Sequence, residues 1–139
     1  MKQIYSKVNP DQLLHIVYRQ LDFRQRQDLV EGDNFLQVAT LKFNQGKFFK
    51  PHYHLFKAVD FEQYIAQESW VVIKGEVRVD FYDIDESLIT SEFLSQGDAS
   101  ITLFGGHGYT ILKEDTLVYE YKTGPYQGQL IDKKFIGDH

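Results

Sequence analysis

From residue 35 onward the chain is a succession of short segments rich in β-branched and aromatic residues, cut by turn signals at intervals of about 8–12 residues. That spacing is the signature of an antiparallel sandwich or a closed barrel, and it leaves little room for long helices. VRVDFY alternates cleanly, which predicts Val77, Val79 and Phe81 inward and Arg78, Asp80 and Tyr82 outward. FLQVATLKF places Phe35, Ala39, Leu41 and Phe43 on one face of a strand. SWVVI, LITSEFL, ASITLF, YTIL and TLVYEY continue the series. Asn44-Gln45-Gly46-Lys47, Lys74-Gly75, residues 83–87 and Gln96-Gly97-Asp98 supply the turns.

The first third is less regular. Asn9-Pro10-Asp11-Gln12 has the chemistry of a helix start, with Asn9 as cap and Pro10 at the first position. The LLHIVYR that follows is rich in β-branched and aromatic residues, so a turn leading into a strand is the favoured reading. Residues 20–34 are polar and charged and are expected to form a surface connection. No repeat or low-complexity linker interrupts the chain. The expected organisation is one domain over residues 1–139: an N-terminal extension (1–34), a β core (35–122) and a C-terminal tail (123–139).

Composition narrows the functional classes. With no cysteine, thiolate metal sites, disulfides and cysteine nucleophiles are excluded. A net charge of −5 argues against nucleic acid, whose phosphates call for a basic face. No segment approaches the ~20 apolar residues of a membrane span, and the N-terminus lacks a signal-peptide apolar run. The expected setting is the cytoplasm.

The chemistry-bearing residues concentrate between Gly46 and Gly108. His52 and His54, at i and i+2, point to the same side if the backbone is extended. Glu68 opens a strongly apolar segment, and its carboxylate is expected to be drawn inward together with Val71 and Ile73. A buried carboxylate needs a partner, and a divalent cation is a good one. His107 lies in Gly105-Gly106-His107-Gly108, where glycine permits close backbone approach. Three imidazoles and a carboxylate converging on one point can hold Fe, Mn, Ni, Co or Zn with two positions open. Each residue also has a plainer reading: histidines hydrogen-bonded on a strand, a glutamate exposed at a strand start, a histidine on a glycine-rich hairpin. His15 is expected to be structural, and His139 is terminal. Trp70, Tyr109 and Tyr126 are the aromatic candidates for ligand contact, with packing as the alternative for each. Tyr53 is expected to point away from the site and pack under the insert that follows.

The pattern Gly46, His52, His54, Glu68, Gly75 resembles the first motif of the cupin superfamily, Gly-x5-His-x-His-x3,4-Glu-x6-Gly. Every fixed position is filled and both end spacings agree. The middle gap departs, with thirteen residues (55–67) between His54 and Glu68. Gly97, Leu103, Gly105 and His107 approximate the second motif, with Leu103 at the proline position, His107 one residue early and Ile111 at the final asparagine. The resemblance covers residues 35–122 and implies an all-β cupin-type double-stranded β-helix, or jelly roll, with His52, His54, Glu68 and His107 as ligands to one divalent metal ion. QESWVVIKGEVRVDFYD and the KTGPYQG tail are similar to small single-domain cupins associated with surface-polysaccharide biosynthesis, which implies a sugar or nucleotide-sugar ligand.

Three functions compete on these residues. One is a metal-dependent enzyme for which isomerisation or epimerisation is natural, or dioxygenation if the ion is iron. Another is a non-enzymatic sugar-binding module. The third is a metal-free sugar epimerase using a histidine–carboxylate pair and a tyrosine. A homodimer is expected, because such folds leave a sheet face or edge to cover. The insert 55–67 is rich in apolar side chains and reads equally as a lid over the pocket, a packed hairpin or a dimer contact.

Overall fold

A computed structural model describes residues 1–56, 64–126 and 128–137. The described residues carry ten strands: β1 (Lys2–Tyr5), β2 (Leu13–Tyr18), β3 (Arg26–Asp28), β4 (Ala39–Leu41), β5 (Glu68–Lys74), β6 (Glu76–Tyr82), β7 (Leu88–Ser95), β8 (Ala99–Thr102), β9 (Gly106–Ile111) and β10 (Leu117–Lys122). One turn of 3-10 helix (Gln20–Asp22) and one short helix, α1 (Gln129–Asp132), complete them. No helix among the described residues is long and apolar enough to cross a membrane.

All pairings are antiparallel. A five-stranded sheet runs β1-β2-β8-β5-β10, a three-stranded sheet runs β7-β6-β9, and β3 pairs with β4. The alternation of VRVDFY holds: Val77, Val79 and Phe81 are fully buried. They meet Ile4, Val17 and Val72 of the large sheet and Leu94 of β7 in one cluster, with Tyr109 and Val118 against its edge. Burial of side chains of this size stabilises the fold by about 1.5–3 kcal/mol each, which joins the two sheets face to face.

The other face of the large sheet is covered as well. Ile16, Tyr18 and Ile101 pack against Leu29, Val30 and Leu103, with Leu36 and Val38 at the margin. Burial on both faces explains why LLHIVY is nearly continuous in hydrophobicity rather than alternating. The turn at Asn9–Gln12, closed by the Gln12 amide donating to the Asn9 carbonyl at 2.9 Å, leads into this strand as expected. The expectation of a surface connection over 20–34 needs correction. Most of it is exposed, but Leu29 and Val30 enter the second cluster, and the Leu29 amide donates to Val38 at 2.8 Å. The expected face of Phe35, Ala39, Leu41 and Phe43 also changes. Only Ala39–Leu41 is a strand, and it buries Thr40, whose hydroxyl donates to Tyr18 Oη at 3.2 Å. The opposite parity wins because a polar partner waits beneath it.

Candidate active site

The site follows from strand parity. On β5, Glu68, Trp70 and Val72 share the face that looks toward the three-stranded sheet, and Val72 is in the core. Glu68 therefore does point inward, but with Trp70 and Val72 rather than with Val71 and Ile73, which lie at the opposite parity of the pleat. Across the gap, His107 and Tyr109 occupy equivalent positions on β9. Glu68 thus meets His107, and Trp70 meets Tyr109.

His107 Nε2 lies 3.2 Å from Glu68 Oε1, with both side chains mostly buried. A carboxylate oxygen accepts, so Nε2 carries the proton. Burial raises the Glu68 carboxyl, but the hydrogen bond and charge of His107, with Lys133 and Lys122 farther off, outweigh it and hold the group below its ordinary value. Glu68 is ionised at neutral pH, and its Oε2 has no hydrogen-bond partner among the described residues. Nδ1 of His107 is buried and also without a partner among them.

Trp70 and Tyr109 stack with centroids 3.8 Å apart and planes within 2°. Each ring is fixed at its polar end. Trp70 Nε1 donates to Glu120 Oε2 at 3.1 Å, and Tyr109 Oη pairs with Ser100 Oγ at 3.0 Å. Burial pushes the Tyr109 phenol far up, so it stays protonated and serves as a hydrogen-bonding wall.

Register brings β10 into the same site. Lys122 pairs with Glu68 and Glu120 with Trp70. The Lys122 ammonium donates to Asp132 Oδ2 of α1 at 2.5 Å and sits 4.2 Å from the Tyr126 ring centroid. The segment after α1 then passes over the opening. Ile136 packs where a Cβ on Gly106 would fall, 2.6 Å from its Cδ1, so the absent side chain of Gly106 is what admits the tail. Together these residues enclose a cavity of about 540 Å³, bounded by Glu68, Trp70, His107 and Tyr109 within and by Lys122 and residues 132–136 at the mouth.

The four expected metal ligands divide into two pairs. Glu68 and His107 meet. His52 and His54 lie on a segment without strand structure, exposed, their ring centroids 5.5 Å apart, with His52 Nδ1 2.9 Å from the Lys50 carbonyl. No three His, Asp or Glu side chains come together as a ligand set among the described residues. As placed, the four residues do not meet as one ligand set: two rings stand in solvent, and Glu68 and His107 bond to each other. Among the described residues the His52-x-His54 segment pairs with no strand, so no ladder imposes the common orientation that its spacing would give.

Of the aromatic candidates, Trp70 and Tyr109 line the cavity, whereas Tyr126 is largely exposed and meets Lys122. Tyr53 is 84% exposed, contrary to its expected packing. His15 is structural, held by Thr102 Oγ1 at 3.1 Å and the Tyr82 carbonyl at 3.0 Å. His139 and the centre of the insert (57–63) lie outside the described residues. Lys122, Glu120, Ser100 and Asp132 were not anticipated. The available signal was the parity of LVYEYK, where Glu120 and Lys122 alternate with Leu117, Tyr119 and Tyr121. Reading apolar as inward chooses the wrong set, because here the polar set faces the cavity.

Comparison with protein-family models, with curated proteins and with solved structures gave no match to this chain.

Proposed function

We propose that the protein acts on a small oxygenated ligand, a sugar or sugar derivative, and that the Glu68–His107 pair moves a proton on it in an isomerisation or epimerisation. The pairing of the two packed sheets is read as a cupin-type jelly roll. The observation that carries the function is the junction of a buried, ionised carboxylate and an imidazole at 3.2 Å on the wall of a cavity flanked by a stacked Trp–Tyr pair. An ionised carboxylate with one oxygen uncommitted can accept a proton from carbon beside a carbonyl. His107 fixes that carboxylate through its Nε2–H. The aromatic wall offers a surface for the apolar face of a sugar ring.

The test is solvent exchange. The protein is incubated in D2O with a panel of aldoses, ketoses and nucleotide-linked keto sugars, and deuterium at carbon is followed by NMR. Wild type should exchange at least one of them, and Glu68→Gln and His107→Asn should each slow exchange about 100-fold or more. Binding without exchange would favour the non-enzymatic module, and undiminished exchange in Glu68→Gln would reject the pair.

A second reading keeps the divalent ion, with His52, His54, Glu68 and His107 as its ligands. The mutual approach of the His52 and His54 rings favours it. It requires their segment to close onto the Glu68–His107 pair. Elemental analysis of protein purified without chelator, with activity measured after EDTA, separates the two: retained activity supports the metal-free pair, and activity restored only by added metal supports the ion.

A further inference from the structure

We propose that the cavity binds its ligand through a carboxylate or phosphate held by Lys122, and that Asp132 occupies this anion site when no ligand is present. The inference rests on the reading of the cavity as a ligand site and names the ligand's charge. Lys122 and Asp132 form an ion pair at 2.5 Å with side chains only 14% and 15% exposed. Their surroundings make that burial unusual. Asp132 belongs to a four-residue helix in which Ile131 is 74% exposed, and Phe135 beyond it is 55% exposed. Besides the packing of Ile136 on Gly106, the tail reaches the cavity with one carboxylate.

The remaining polar groups point the same way. Glu68 is bonded to His107, and Glu120 accepts from Trp70. Lys134 lies 3.6 Å from Glu86 across an exposed contact, and Lys133 lines the mouth with no ion pair among the described residues. A ligand oxyanion that displaces Asp132 gains Lys122 on the inside and meets Lys133 at the rim. The register that sets Lys122 opposite Glu68 places such an anion next to the proton-moving pair. An intramolecular carboxylate on this lysine acts as a resident competitor: it holds the tail over the opening and keeps a buried ammonium from standing unpaired.

Trp70 is the chain's one tryptophan and lines the cavity, so its emission reports occupancy. The probes are D-glucose, D-glucuronate and D-glucose 1-phosphate, titrated into the full chain, with calorimetry as an independent readout. One of the two anions should bind about tenfold more tightly than glucose, as expected for a charge-assisted hydrogen bond, and the one that does identifies carboxylate or phosphate. Asp132→Asn removes the competitor and should tighten that anion about fivefold or more while leaving glucose unchanged. Lys122→Gln should abolish the preference, and Lys122→Arg should retain part of it. Glucose binding as well as both anions, or a preference indifferent to Lys122 and Asp132, overturns this inference and leaves the proton-transfer reading standing. Silence of all three probes in every variant overturns it together with the reading of the cavity as a sugar site.

Discussion

His15 gives the most direct quantitative test of the fold. Its ring is fully buried between the sheets and 4.6 Å from the Phe81 ring. The Tyr82 carbonyl can only accept, so Nε2 carries the proton and Nδ1 accepts from the Thr102 hydroxyl. The neutral ring is satisfied at both nitrogens. Burial therefore dominates its titration and lowers it from 6.5 to about 4, with the Tyr82 carbonyl opposing, nearby His107 adding to the depression, and Asp83 opposing. Between these two values the unfolded chain binds a proton at this residue and the folded chain does not. Stability thus rises with pH across the window. The contribution is fully present above pH 6.5 and is lost as pH falls toward 4. Over the whole interval it amounts to about 3 kcal/mol, of which about 2 kcal/mol falls between pH 7 and pH 5. The carboxylates that also titrate low, Asp22, Glu68, Asp83, Asp85 and Asp98, lose their contributions mainly below their ordinary values of 4.5 for the glutamate and 3.8 for the aspartates, so the upper part of the window belongs largely to histidine. The assay is urea unfolding at half-unit pH steps from 7 to 5, for wild type and for His15→Gln, which retains an amide donor for Tyr82 but does not titrate. Wild type should lose about 2 kcal/mol and the variant should be flatter by that amount, whatever its absolute stability. A wild-type loss under about 0.5 kcal/mol, or an identical slope in the variant, would refute the assignment of a buried, neutral His15.

Three further outcomes follow from the packing. Phe81→Ala should cost about 3–5 kcal/mol in urea unfolding, because it empties the centre of the cluster joining the sheets and removes the ring beside His15. Gly105→Ala should cost about 2 kcal/mol or more, since φ is +78° and a Cβ would fall 2.6 Å from the Tyr82 carbonyl, whereas Gly46→Ala, at φ +85° with open space around it, should cost only about 1 kcal/mol. Ser100→Ala should cost about 1–3 kcal/mol by leaving the buried Tyr109 hydroxyl unpaired, and adding Tyr109→Phe should recover most of it, which a double-mutant cycle measures.

Some of this molecule is written plainly in its sequence, and the reasons are local. The alternation at 77–82 and the turns at Gly75 and Gly97 depend on the pleat and on backbone conformation, which a few consecutive residues determine. The Glu68–His107 association was legible only as two members of a possible site, because strands 39 residues apart must be aligned before it exists. β1 had no signal at all. KQIY is short and mostly exposed, and only Ile4 reaches the core. The covering of the large sheet by residues 29–38 was hidden for a related reason: Leu29 and Val30 are two apolar residues in a charged stretch, too few to set a period.

The same consideration explains how the site acquires its composition. Three strands each contribute residues at i and i+2: Glu68 and Trp70, His107 and Tyr109, Glu120 and Lys122. A one-residue slip of β5 would present Gln67 and Ser69 instead and erase the carboxylate–imidazole pair. The chain guards against that slip on the opposite face. The Gln67 side chain accepts from the Leu36 amide at 2.8 Å and donates to Asn34 Oδ1 at 3.1 Å, while its backbone amide donates to Thr123 Oγ1 at 3.0 Å. These bonds tie β5 to the outer cover and to the end of β10. Gln67 thus holds Glu68 inward by being satisfied outward, and the register that places the acid beside His107 is the same one that sets Lys122 across from it.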